Sequence, residues 1–193
     1  ICNSIYAINK KDQEDMIMTF GRAYGIPTVA LRYFNVYGPR QSLSNPYTGV
    51  AAIFLSRLMN DNRPVIYEDG LQTRDFVSVH DIVQANILSL ESDKANGQVF
   101  NVGSGRPVSI LEIAEILAKK LGLQIKPEIT NQFRSGDIRH CGADISKIKS
   151  LLSYTPSVSF EDGMEELIEW SNGQKAVDKF DQALKELTSR KLA

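Results

Sequence analysis

Apolar, strand-like segments alternate with helical segments along this chain, and that alternation limits its fold more than any other sequence feature. Residues 28–34, TVALRYF, are apolar enough for a buried strand, and they follow a helical segment that Gly25 and Pro27 close. Strands that alternate with helices are typical of a parallel sheet with helical connections. The sequence therefore predicts an α/β fold built mainly from parallel strands.

The other predicted elements follow the same pattern. Ser109 with Glu112 three residues later has the spacing of a capping box, and Asp144 stands where a later helix would need its N-cap. The predicted helices cover 6–24, 50–60, 81–91 and the segment that ends at 121, with two or three more towards the C-terminus. The predicted strands cover 28–34, 64–70, 73–79, 98–104 and 125–129, with loops over 35–49 and 131–143.

The composition is that of an ordinary globular protein. Of 193 residues, 42% are hydrophobic and 23% are charged, and the net charge of −1 provides no basic field for nucleic acid. No apolar run reaches the length of a membrane span, and no basic and apolar leader precedes a cleavage site. The two cysteines, Cys2 and Cys141, are too few for a disulfide framework. We therefore expect a cytoplasmic protein with no nucleic-acid partner and no membrane span.

The chain begins on a helix with no preceding element to pack against it, and the predicted strand order is incomplete. Gly103-Ser104-Gly105 follows a strand but lacks the remaining spacing of a dinucleotide-binding loop, so we interpret it as a turn. The simplest explanation is that these residues are the carboxy-terminal part of a larger α/β protein.

Tyr6 and Lys10 lie four residues apart in the first predicted helix, which places them on one helix face. The pKa of a free tyrosine is about 10, so a tyrosine acts as a base at neutral pH only after a lowering of roughly 3 units, about 4 kcal/mol. A positive charge about 4 Å away supplies on the order of 4 kcal/mol at an effective dielectric constant of ~20. The pair is therefore capable of general acid–base catalysis on a hydroxyl group, although this spacing also occurs often by chance. Ser4 has a simpler role available, as the N-cap of the helix.

Five segments in this order resemble the extended short-chain dehydrogenase/reductase family, and within it the nucleotide-sugar epimerases. They are YAINK, LRYFNVYGPRQ, DGLQTRDFVSVHDIVQA, VFNVGSG and RSGDIRHCGADISK, and the resemblance covers Ser4 to about Trp170. Such proteins have an N-terminal Rossmann half with the Gly-rich dinucleotide turn. The resemblance implies that roughly 120 residues of this kind precede the present chain in the complete protein.

The resemblance also implies roles for residues near the start of the chain. In this family the tyrosine at the position of Tyr6 removes or returns the proton of a sugar hydroxyl while hydride passes to or from NAD. The lysine at the position of Lys10 holds the nicotinamide ribose, and the residues matching Tyr33 and Phe34 border the nicotinamide. The residue matching Asn35 hydrogen-bonds the nucleotide sugar. The family's third partner, a serine or threonine, lies upstream of this chain, and Ser4 does not replace it.

Arg74 and Arg134 match family positions that bind the diphosphate. Two permanently charged, bidentate donors from separate loops would clamp a nucleotide diphosphate well. The alternative for the first of them is a local surface ion pair between Arg74 and Asp75.

Five further positions are implied to contact the substrate. Asp137 matches the residue that accepts from the ribose hydroxyls, and Val50, Val65 and Tyr67 match residues that line the uracil or thymine pocket, although such apolar residues are usually core. Cys141 falls where galactose-type epimerases place the residue that limits bulky sugar substituents. A buried structural cysteine is an equally good interpretation, and no position carries a metal-ligand pattern.

The implied reaction is epimerisation at C4 of a nucleotide-diphosphate sugar through a transient 4-keto sugar, with NAD as the cofactor. Residues 21–54 look most like enzymes that act on dTDP-6-deoxyhexoses, and UDP-hexose 4-epimerases are the close alternative. A 4,6-dehydratase or reductase of the same family stays open. A function of another class also stays open, that of a non-catalytic fragment that binds a nucleotide sugar. The chain alone is expected to be inactive.

The expected architecture is the C-terminal part of a Rossmann-like doubly wound sheet plus a small α/β substrate-binding lobe. Residues 1–40 would be the remnant of the NAD-binding domain. Residues 41–173 would be mainly the nucleotide-sugar lobe, with Rossmann elements returning over about 72–103, and 174–193 would form a C-terminal helix. In the family the tyrosine helix and its neighbour commonly pair with their copies in a four-helix interface, so the complete enzyme is expected to be a homodimer.

Overall fold

The computed structural model describes residues 4–45, 48–133 and 138–189 and is a mixed α/β structure. None of the helices in these ranges combines the length and apolarity needed to cross a membrane. The α-helices are α1 (Ile5–Tyr24), α2 (Val50–Met59), α3 (Val79–Glu91), α4 (Ile110–Lys120), α5 (Ser146–Leu152), α6 (Phe160–Ser171) and α7 (Phe180–Ser189). The strands are β1 (Val29–Tyr33), β2 (Asn35–Tyr37), β3 (Val65–Ile66), β4 (Thr73–Ser78), β5 (Gln98–Val102), β6 (Pro107–Ser109), β7 (Glu128–Ile129) and β8 (His140–Cys141).

The strand pairs are parallel with one exception among the described residues. β1 pairs with β5, β3 pairs with β7, and the central β4 pairs with both β2 and β8, all in parallel. β6 runs antiparallel to β4. The predicted parallel α/β construction is therefore confirmed.

The predicted strand 28–34 is in fact two strands. The chain runs beside β5 as far as Tyr33, which lies opposite Val102, and the backbone N–H of Phe34 donates to the Val102 carbonyl at 3.0 Å. From Asn35 onward the chain pairs with β4 instead, with Asn35 opposite Phe76. The prediction of a loop from residue 35 onward was thus wrong for its first three residues.

Two hydrophobic clusters stabilise the molecule. The larger lies between α2, α4, α6 and the central strands, where the Phe160 ring lies 5.6 Å from Tyr37 and 5.5 Å from Phe76. The smaller packs α3 and α5 against β5. Each fully buried large side chain contributes about 1.5–3 kcal/mol. The largest fully buried side chains include Phe54, Leu55, Leu58, Ile113, Leu117, Met164 and Leu167 in the first cluster, and Phe100, Ile148 and Tyr154 in the second.

Local capping explains where several helices begin. The Ser109 hydroxyl accepts from the Glu112 N–H at 3.1 Å, as predicted. The Asp144 carboxylate accepts from the Ser146 N–H at 2.9 Å, so it caps α5, whose assigned boundary lies one residue later. α3 begins at Val79, two residues earlier than predicted, because Ser78 caps it.

The short strands were the least predictable elements. β3 and β7 are two residues each, much shorter than the predicted 64–70 and 125–129. β6 was not predicted at all, and β8 lies in the region predicted as a loop. Each of these short strands is formed by pairing with a strand distant in the sequence. The local residue pattern does not reveal that partner.

The segment that leads into α7 is bound to α2 through Arg57, whose side chain is 8% exposed. Its guanidinium lies 3.3 Å from Asp178 and 3.0 Å from Asp181, and it stacks 4.6 Å from the centre of the Phe180 ring. Burial of a charge is tolerated here because carboxylates and an aromatic face surround it.

Candidate active site

The side chains of Tyr6 and Lys10 lie together on the first turns of α1. The Lys10 ammonium is 5.7 Å from the centre of the Tyr6 ring, and Tyr6 is 72% exposed. Lys10 also approaches the Gln13 side-chain oxygen at 3.4 Å. The Ser4 hydroxyl accepts from the Ala7 N–H at 3.1 Å, which is the N-cap role that the sequence offered as the simpler one. An aromatic hydroxyl and a cation therefore share one accessible helix face.

An open cavity of about 680 Å³ lies between this helix face and β1. Tyr6, Lys10 and Glu14 line it from α1, and β1 lines it along its whole length, with Arg32 and Tyr33 at the carboxyl end. The carboxyl ends of parallel strands are where open α/β sheets bind ligands. The predicted catalytic pair and one of the two predicted nicotinamide neighbours thus border the same space.

The three residues at the β1–β2 junction do not share one environment. Tyr33 is half-exposed, and its hydroxyl donates to the Asn86 side-chain oxygen on α3 at 2.9 Å. Phe34 and Asn35 are partly buried and do not line the cavity beside Tyr6. Tyr33 is therefore the member of this group that the structure brings to the candidate catalytic pair.

Arg74 lies on β4 with its guanidinium held by two carbonyl groups. One terminal nitrogen donates to the Thr73 carbonyl at 2.8 Å and to the Arg139 carbonyl at 3.1 Å. Cys141 lies opposite Arg74 in the β4–β8 register and is partly buried. The predicted diphosphate and sugar positions are therefore neighbours. The predicted Arg134 and Asp137, like Cys2, lie outside the described residues.

Asp75 is fully buried and its carboxylate joins two backbone segments, the 103–105 turn and the chain after β8, so it does not form the alternative surface ion pair with Arg74. The Ser104 N–H and hydroxyl donate to it at 2.6 and 2.8 Å, the Gly105 N–H at 2.9 Å and the Ala143 N–H at 3.2 Å. This arrangement agrees with our interpretation of 103–105 as a turn. The amides that a phosphate would need are already bound to a carboxylate.

The three predicted base-pocket residues occupy different elements. Val50 begins α2 and packs on the larger hydrophobic cluster, and Val65 lies in β3 opposite Glu128. Tyr67 follows β3, and its carbonyl accepts from the Gln72 side chain at 2.8 Å. The contacts of Val50 are those of a core residue.

Sequence analysis missed two ion-pair systems at the site. Arg139 donates to Glu68 at 2.6 Å and to Asp69 at 2.8 Å, and this bonding lowers the pKa of Asp69. Arg139 thereby fixes the segment that supplies a carbonyl to Arg74. The second system joins Glu14 to Arg32. Its only signal in the sequence is that Glu14 continues the four-residue spacing of Tyr6 and Lys10.

The chain matches a known protein family over most of its length. A family model described as GDP-mannose 4,6 dehydratase matches residues 2–167. Among curated proteins, dTDP-L-rhamnose 4-epimerase of Burkholderia thailandensis is 40% identical over 168 residues, which cover 86% of this chain and 46% of that protein. The chain spans about half the length of the curated relatives it matches.

Solved structures agree with this match. UDP-N-acetylglucosamine 4-epimerase from Methanobrevibacter ruminantium M1, in complex with UDP-N-acetylmuramic acid, is 42% identical with a TM-score of 0.81 over 88% of this chain and 54% of that one. UDP-glucuronic acid 4-epimerase from Bacillus cereus, in complex with UDP-glucuronic acid and NAD, is 34% identical with a TM-score of 0.80 over 89% of this chain and 54% of that one.

Proposed function

Since the chain belongs to the extended short-chain dehydrogenase/reductase family of nucleotide-sugar enzymes, we propose that the complete protein is an NAD-dependent 4-epimerase of a nucleotide-diphosphate sugar. The main support for this proposal is the Tyr6–Lys10 pair, whose ammonium lies 5.7 Å from the ring centre beside the cavity between α1 and β1. Relatives named 4-epimerases support the reaction type. The substrate is a dTDP-6-deoxyhexose or a UDP-hexose.

In the proposed mechanism Tyr6 is the proton carrier. Its phenolate takes the proton of the C4 hydroxyl as the C4–H bond breaks. The phenol returns that proton after the 4-keto sugar has rotated in the site to present its other face. Bound NAD would supply reversible hydride transfer at C4, so the reaction would involve no net redox change. The Lys10 ammonium stabilises the phenolate electrostatically and is placed to donate to ribose hydroxyls.

The described residues fit the nicotinamide end of that cofactor. Tyr6, Lys10 and Tyr33 border one cavity, and their hydroxyl and ammonium groups can hold a ribose. The amides of the 103–105 turn are taken by Asp75 and do not suit the pyrophosphate. The pyrophosphate site is therefore assigned to a part of the enzyme other than this turn.

We assign the remaining predicted residues to the nucleotide sugar. Arg74 and Arg134 would bind the diphosphate, Asn35 the sugar side, and Asp137 the ribose hydroxyls. Two carbonyl bonds fix the orientation of the Arg74 guanidinium, and Cys141 lies opposite it, which supports a diphosphate and sugar on this side. Val50, Val65 and Tyr67 remain proposed base-pocket residues, and Phe34 a proposed neighbour of the nicotinamide. Cys141 would leave room for a sugar substituent.

A panel of UDP-, dTDP- and GDP-sugars offered to the complete enzyme tests the function, with C4 stereochemistry followed by NMR. We expect one nucleotide class to give a mixture of two C4 epimers without consumption of NAD. Accumulation of a 4-keto-6-deoxy sugar would instead identify the dehydratase of the same family, in keeping with the description of the matching family model.

Residues 1–193 alone are expected to give no turnover. Epimerisation by them would contradict our view that an NAD-binding half is required.

Homodimerisation through α1 is the proposed assembly. Met16, Phe20 and Tyr24 are more than half exposed and line an apolar groove of about 740 Å³ along this helix. Exposed apolar surface of this kind favours association. We expect light scattering after gel filtration to give a dimer mass that Phe20→Glu reduces to a monomer. Leu90→Glu, on the exposed side of α3, is the control and should leave the mass unchanged. A monomeric wild type would contradict the proposal.

A further inference from the structure

We propose that Glu14 and Arg32 act as a positioning pair that keeps the Lys10 ammonium against Tyr6. The inference rests on the function proposed above and adds two residues to the same site. It follows from where the two side chains lie, from how they bond to each other, and from what the Glu14 carboxylate would do without Arg32.

The pair lies in line with the candidate catalytic residues. Tyr6, Lys10 and Glu14 recur every four residues, so they succeed one another along one face of α1, and all three line the cavity. Arg32 immediately precedes Tyr33 at the carboxyl end of β1 and lines the same cavity. The pair therefore links α1, which carries the candidate catalytic residues, to the carboxyl end of β1.

The bond between the two side chains uses both carboxylate oxygens. The Arg32 Nε donates to one Glu14 oxygen at 2.6 Å and its Nη2 to the other at 2.7 Å, which is the bidentate geometry that fixes orientation as well as distance. The Glu14 side chain is only 14% exposed. Bonding to Arg32 lowers the pKa of Glu14.

Within the described part of the chain, the first half of α1 has few other contacts. Its buried residues, Met18 and Gly21, lie in the second half, where a side chain at Gly21 would overlap Thr28. Within the described residues, the Glu14–Arg32 pair is the only side-chain hydrogen bond that links α1 to another element. The pair therefore ties the helix face that carries Tyr6 and Lys10 to β1.

The charge of Glu14 gives the pair a second effect. Lys10 and Glu14 stand at the spacing at which lysine and glutamate attract one another on a helix. Arg32 occupies the carboxylate, and the Lys10 ammonium lies towards the Tyr6 ring instead. The other charged or titratable groups that face this space from α1 and β1 are Lys11, which pairs with Asp15, and Tyr33. Removal of Arg32 would therefore leave Glu14 without its partner, four residues from Lys10, where a carboxylate attracts the ammonium.

Three variants of the complete enzyme separate this effect from a structural one, namely Arg32→Met, Glu14→Gln and the double variant. Arg32→Met should move the acidic limb of the kcat/KM profile to higher pH, because the phenolate form that accepts the proton is less favoured when the neighbouring cation withdraws. Glu14→Gln removes the competing carboxylate, so both the single Glu14 variant and the double variant should keep a limb close to that of the wild type. Loss of rate in all three with an unmoved profile would reduce the pair to a structural contact and overturn the proposal.

A second readout does not depend on turnover. In enzyme labelled with ¹³C-lysine, the ε-protons of Lys10 should carry a ring-current shift that Tyr6→Leu abolishes. Arg32→Met should reduce that shift by more than half, and the double variant should restore it. An unchanged shift in Arg32→Met would refute the positioning pair whatever the activity. A reduced shift in an enzyme that epimerises no sugar would leave the pair standing and refute the proposed function.

Discussion

Tyr6→Phe is expected to lower kcat by about 1,000-fold while leaving the affinity for the nucleotide sugar nearly unchanged. The substitution removes one hydroxyl and keeps the ring against which Lys10 lies. Tyr6 is exposed in the first turn of α1, so its hydroxyl makes no packing contact with the described residues. The loss should therefore fall on the proton transfer alone.

The experiment compares kcat with the dissociation constant of the nucleotide sugar measured by calorimetry. Tyr24→Phe is the matched control, since Tyr24 is also an exposed tyrosine of α1 but lies at its other end, stacked 4.5 Å from Phe20. The control should retain full activity. If Tyr6→Phe kept most of the rate, another group would carry the proton and the assigned mechanism would be wrong.

The family and the α/β fold were predictable from the sequence, and both are confirmed. The order of the motifs identifies the family. Strong helical periodicity predicts elements such as α1, which begins and ends within one residue of its prediction. The shared face of Tyr6 and Lys10 was predictable for the same reason, because positions four residues apart on a helix are fixed by local geometry. Their roles stay predictions until the variants are measured.

What the sequence could not reveal depends on distant partners. β2, β6 and β8 are only two or three residues long, and each is held by β4, far away in the sequence. Arg32 reaches Glu14 across 18 positions and Arg139 reaches Glu68 across 71. Neither spacing has a periodic signature, so a single sequence gives no reason to join them.

Asp75→Ala is expected to destabilise the fold by about 3 kcal/mol or more. Four donors converge on this fully buried carboxylate, and each hydrogen bond to a charged group contributes about 1.5–3 kcal/mol. Alanine leaves three backbone amides without their acceptor. Urea unfolding monitored by circular dichroism should give a lower midpoint, while Asp12→Ala, at an exposed position of α1, should stay within about 0.5 kcal/mol of wild type.

The same change should also weaken binding of the nucleotide sugar in molecules that remain folded. Asp75 ties the end of β5, through Ser104 and Gly105, to the chain that follows β8, through Ala143, and β8 places Cys141 opposite Arg74. Asp75→Asn keeps the size of the side chain but turns one acceptor into a donor that faces an amide, so it should be nearly as destabilising as alanine. Wild-type stability in both variants would mean that water replaces the carboxylate without loss of stability, and that the segments that follow β5 and β8 do not depend on Asp75 to stay together.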